Sequence, residues 1–175
     1  MRFLKGFWII VVATLISACS ADIDEYQTQA PRFDLFSYFD GEVHAWGMVQ
    51  DYRNKQARRF TVVIEGSVRG GTLTLNEAFT YDDGETDNRV WTISREGEGY
   101  YTGYADDIIG EAKGREVGNA LQWKYDFELA VDGTNVEVTF DDWLYRQDSK
   151  RVFNLTSITK LGVEVGRVTL FFEKQ

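Results

Sequence analysis

The chain has 175 residues, 15% of them aromatic, a formal net charge of −9, one cysteine and one histidine. An acidic surface repels phosphate backbones and anionic headgroups, which excludes nucleic acid as a partner. A lone cysteine allows no internal disulfide, so stability has to come from a hydrophobic core, and a chain of this length can build one as a single domain.

The first predicted element is a leader. Arg2 and Lys5 precede an apolar run from Phe7 to Ile16, which ends in the small pair Ser17 and Ala18. That is the layout of a signal peptide over residues 1–18. A membrane-spanning helix needs about 20 apolar residues, and the polar stretch "SADIDEYQTQ" arrives too soon.

Ile16, Ser17, Ala18 and Cys19 resemble the lipobox of bacterial lipoproteins, in which the cleaved chain begins at a cysteine carrying palmitate-type acyl chains. The resemblance implies lipidation of Cys19 and the membrane as a partner through it. Each buried methylene contributes about 0.8 kcal/mol, and stable anchoring takes more than one chain. By the same resemblance, Ser20 in place of an aspartate implies sorting to the periplasmic face of the outer membrane.

Residues 19–32 read as the acylated cysteine and a tether, since they are polar, lack apolar periodicity and contain Pro31, the only proline. Residues 33–175 read as one all-β domain. The clearest strand is "ALQWKYDFELAV", with Leu121, Trp123, Tyr125, Phe127, Leu129 and Val131 on one face and Gln122, Lys124, Asp126 and Glu128 on the other. Asp132 and Gly133 turn it into "TNVEVTFDDWLY", which makes residues 120–131 and 134–145 a hairpin. Further strands are expected at about Glu42 to Tyr52, Ala57 to Gly66, Thr72 to Thr80, Asn88 to Glu96, Gly99 to Asp106, Lys150 to Lys160 and Val163 to Phe172. Such a meander predicts an antiparallel up-and-down barrel of 8 to 9 strands, whose closure removes exposed edges. Glycines at 103, 110, 114 and 118 would let its strands bend. A transmembrane barrel shares this signature, but the lipobox and the ending Glu173, Lys174, Gln175 point away from it.

Phe33, Asp34, Leu35, Tyr38 and Gly41, just ahead of the first strand and its Trp46, resemble the lipocalin opening, in which a turn of helix closes the barrel's base beneath a tryptophan. Lipocalins place that tryptophan two residues after the glycine, where Val43 stands here. The resemblance implies that Arg167, on the last strand, packs on Trp46. With "FTYDDGE", "RVW" and "FDDWLY" in order, the whole domain resembles a DUF-type family of Gram-negative lipoproteins with a lipocalin-like domain and no assigned activity. Its genes tend to neighbour fatty-acid modification genes, which implies a lipid connection.

With Cys19 acylated and His44 the only histidine, Cys/His catalysis and multi-histidine metal sites are unavailable, and no serine occupies a G-x-S-x-G elbow. His44 has no identifiable partner and reads as a surface or structural residue. The acidic loop with Asp82, Asp83, Glu85 and Asp87 lacks EF-hand spacing and reads as a solvated turn. No catalytic residue, metal ligand or cofactor is assigned. More telling are charges in step with apolar faces: Glu77 with Leu73, Leu75 and Phe79; Arg89 with Trp91 and Ile93; Asp142 with Val138, Phe140 and Leu144. Charges among hydrocarbon must pair or await a ligand. The expected ligand site has Arg89 on a carboxylate or other polar head and Trp91, Trp123, Tyr125 and Phe127 along an acyl tail, with Glu77 and Asp142 nearby. The expected function is binding of a fatty acid or other hydrophobic small molecule in the cell envelope. The alternatives are a barrel enzyme acting on a lipid or glycan through Glu77 and Asp142, a closed ion network inside a packed barrel, and a structural envelope protein.

Overall fold

The computed structural model describes residues 21–131 and 133–175. The expected leader, the lipobox, Cys19 and Asp132 of the expected turn lie outside these residues.

Ten strands follow one another: β1 (Gly41–Asp51), β2 (Gln56–Arg69), β3 (Thr72–Tyr81), β4 (Thr86–Gly97), β5 (Tyr100–Tyr104), β6 (Ile108–Val117), β7 (Ala120–Val131), β8 (Thr134–Arg146), β9 (Arg151–Lys160) and β10 (Val163–Lys174). Each pairs with its sequence neighbour, and β1 pairs with β10 from Val43↔Lys174 to Asp51↔Gly166, so the meander closes into a barrel without a free edge. The expected hairpin is present in register, Trp123↔Asp142 and Val131↔Thr134.

The strand count exceeds the expected 8 to 9 because β6 gives no alternating signal. Gly110 adopts φ +72°, and the register against β7 shifts between Ile109 and Lys113. A bulge of this kind breaks the period of two that marks a strand in sequence.

Alternation elsewhere sends hydrocarbon inward. Leu121, Trp123 and Tyr125 are buried while Lys124 between them is exposed, and Val62 and Ile64 are buried while Val63 points out. Outward faces carry ion pairs such as Lys124–Asp141 at 3.5 Å. This is the inverse of a transmembrane barrel, whose outer band is apolar and whose lumen is polar.

One end of the barrel is plugged by a short helix, α1 (Leu35–Phe39), preceded by Asp34, whose side chain accepts from the Ser37 N–H at 3.1 Å. Leu35, Phe36, Tyr38 and Phe39 are buried beneath the strands. The orphan carbonyls at its C-terminal end are met by Lys174, whose Nζ donates to the carbonyls of Ser37, Tyr38 and Asp40 at 2.8 Å each. Ahead of the helix, a 3-10 turn (Ile23–Tyr26) buries Ile23 and ties Asp24 to Arg115 at 2.5 Å. The Phe33 N–H donates to the Gly118 carbonyl at 2.7 Å, so the described part of the tether segment lies against the plugged end.

The helical plug matches the lipocalin-like opening, whereas Trp46 does not. Trp46 points outward, 45% exposed, against Phe171, and the position two residues after Gly41 is held by fully buried Val43. Arg167 stands opposite Gln50 and pairs with Glu164 at 2.7 Å, four residues from the partner of Trp46. Period two decides this: 43, 45, 47 and 49 face in, and residue 46 must face out.

Candidate functional site

The barrel is hollow. A cavity of about 380 Å³ runs from Leu35 and Phe39 at the plug to Val49, Arg58, Tyr81 and Leu129 near the opposite loops. All seven residues singled out from the sequence line it: Glu77, Arg89, Trp91, Trp123, Tyr125, Phe127 and Asp142.

Its aromatic wall is ordered by edge contacts. Trp91 meets Trp123 and Tyr125 edge-on at 5.6 and 5.3 Å between centroids, and Tyr125 stacks on Phe140 at 5.2 Å. Trp123 fits because the strands beside it carry no side chain where its ring lies. A Cβ at Gly103 or Gly114 would collide with the indole. Both glycines are therefore sized for Trp123.

The polar groups fall into two stations. In the first, Glu77 and Arg89 are cross-strand partners on β3 and β4, so their side chains share one face within reach of each other. Arg89 pairs with Asp107 at 2.7 Å and lies among the rings of Phe127, Trp91 and Phe79 at 5.3 to 5.9 Å. Burial opposes its charge, but Tyr125, Glu77 and Asp107 outweigh burial and raise its pKa. Asp107, in the β5–β6 turn, thus holds the place the sequence reading gives to a ligand carboxylate. Burial pushes Glu77 up to about 7, with Arg89 pulling down and Asp107 and Asp142 adding to the rise. Glu77 is partly buried and lines the lumen.

The second station is Asp142, Asn154 and Thr156. Burial pushes Asp142 up to about 6, against hydrogen bonds from Thr156 and Asn154. Thr156 Oγ1 and Asn154 Nδ2, the latter at 3.4 Å, both donate to Asp142 Oδ1, and Oδ2 takes neither bond. Asn154, 5% exposed, also leaves its Oδ1 without a protein partner. Arg89 makes its ion pair with Asp107 rather than with Asp142, so the expected three-member network is divided.

Asn154, Thr156 and Asp107 are the residues sequence reasoning missed. Asn154 and Thr156 share a face with buried Val152 and Ile158, so alternation does carry the signal. It is masked by Phe153 and Leu155, which make the outward face of β9 the more apolar one.

His44 points outward and bonds Glu42 at 2.7 Å. The acidic loop is taken up by arginines, Asp83 and Glu85 on Arg58 at 2.8 and 2.5 Å and Asp82 on Arg59 at 3.2 Å. Among the described residues, no cluster of three or more His, Cys, Asp or Glu is placed to hold a metal ion.

A closed antiparallel barrel with a helical plug and a lined lumen is a lipocalin-like fold. The S-type phycobiliprotein lyase CPES from Guillardia theta has the same fold, with a TM-score of 0.59, 7% identity, and coverage of 80% of this chain and 90% of that one. By sequence, residues 13–174 match the family described as "Protein of unknown function (DUF3833)", and the chain belongs to it. A search of curated proteins found no match.

Proposed function

We propose that this protein is an envelope lipoprotein, anchored through acylated Cys19 at the periplasmic face of the outer membrane, whose barrel carries a hydrophobic ligand with a fatty-acyl or related chain. The observation that supports the carrier reading is the cavity of about 380 Å³, walled by aromatic and aliphatic side chains with a few convergent polar groups. Ligand pockets are built in this way and start at about 300 Å³. A packed structural barrel would leave no such void. Turnover through Glu77 and Asp142 fits less well: an acid and a base are distinguished by pKa values pushed apart, and burial raises both carboxyls here.

Native mass spectrometry of the full chain purified from cells tests the reading. The expected result is a lipid-mass adduct that denaturation releases. Protein that takes up no lipid, even when acyl ligands are added, would overturn it.

A further inference from the structure

Both arginines that line the lumen are already paired, Arg58 with Asp83 and Glu85 and Arg89 with Asp107, while Glu77 and Asp142 line it as well. A ligand carboxylate reaching Arg89 would have to displace Asp107 and stand near two further carboxyls, a like-charge arrangement that disfavours binding.

Deeper, toward the plug, unpaired acceptors remain. Of the three buried side-chain polar atoms without a partner among the described residues, Arg58 Nε and Asn154 Oδ1 belong to residues lining the cavity. Asn154 is the deeper of these, on the wall between Leu144 and Leu170, and it adjoins Asp142, whose Oδ2 takes neither of the two side-chain bonds made to that carboxylate. A buried carbonyl oxygen left unmet is destabilising, and a bound donor removes that cost. Arginine, lysine or histidine would be the usual sign of an anion site, and this station has none.

We propose that Asn154 and Asp142 form the head-group station of the cavity, taking a hydrogen-bond-donating head without negative charge, a hydroxyl or a protonated amine, while the chain runs past Trp123 and Trp91 toward the mouth. This rests on the carrier reading above and specifies its ligand: a long-chain alcohol or amine in preference to a free fatty acid. Thr156 orients the carboxylate, and Asn154 supplies the neutral acceptor. The raised pKa of Asp142 is consistent with a carboxyl kept from solvent until a cation or donor arrives.

The test is native mass spectrometry of the full chain with an equimolar mixture of dodecanol, dodecylamine and dodecanoic acid at pH 8. Alcohol and amine adducts are expected to exceed acid adducts at least five-fold. Asp142→Asn should remove the advantage of the amine and keep that of the alcohol. Asn154→Leu should remove the advantage of the alcohol and keep that of the amine, without abolishing C12 uptake. The unmutated chain decides by itself if a variant fails to fold. Acid adducts equal to or above the others, or preferences unmoved in both variants, would overturn the head-group station and leave the carrier reading in place. No C12 adduct of any kind would overturn both.

Discussion

At the scale of single residues, Glu77 and Asp142 stand where an ionised carboxyl is least comfortable, and their response to pH follows. Each has a folded pKa above its ordinary value, about 7 against 4.5 for Glu77 and about 6 against 3.8 for Asp142. Folding therefore favours the protonated form. Their contribution is fully present below the unfolded values and is lost as pH rises to and through the folded ones. Stability should fall across roughly pH 4 to 7, and Glu77→Gln should escape its share of the loss. In denaturant melts the variant is expected to exceed the parent by about 3 kcal/mol at pH 8 and to lose that advantage near pH 4. A variant less stable than the parent at pH 8 would contradict this account. Gly114 makes a second case, because its missing Cβ is the floor on which the Trp123 indole lies. Gly114→Ala should push the ring into the lumen, at a cost of about 1–3 kcal/mol for overpacking. Replacing Trp123 with Phe in the same chain should recover part of that loss in thermal melts.

Among elements, α1 is too short to be stable alone and depends on what grips it. Its first N–H, on Leu35, donates to Glu116 Oε2 at 2.9 Å, and the same oxygen accepts from the Tyr101 hydroxyl at 2.9 Å. Arg95 lies over the Phe36 ring at 4.3 Å and pairs with Asp34 at 3.0 Å. Glu116→Ala leaves two buried donors unmet, at about 1–3 kcal/mol. Amide hydrogen exchange should then quicken in residues 35–39 while the β7–β8 hairpin keeps its protection. Uniform acceleration across the barrel would show instead that the plug is part of one cooperative unit. The elements also differ in how plainly they are written in the sequence. β7 and β8 keep a period of two and are separated in sequence by an Asp-Gly pair, so both their limits and their pairing could be read directly. β6 hides behind Gly110 and its bulge, and with it went the Asp107 turn that neutralises Arg89. On β9 the outward Phe153 and Leu155 are more greasy than the inward Asn154 and Thr156, so hydrophobicity alone selects the wrong face.

For the molecule as a whole, a run of hairpins predicted a closed barrel, and the inward placement of Glu77, Arg89 and Asp142 followed from alternation alone. Whether that interior is filled or hollow was not legible. It depends on how ten inward rows of side chains meet across the axis, and strand period carries no information about distances between rows. The lumen is open because bulky Trp123 is drawn back against the wall at Gly103 and Gly114. Closure also fixes the direction of access. The chain enters beside Gly118 and Asp24–Arg115, at the plugged end. A vessel fastened to the membrane by that end stands upright with its rim facing the aqueous space. On the proposed attachment through Cys19, cargo would then pass between the barrel and something approaching from the open side, and the bilayer underfoot would serve as a mooring rather than as the source.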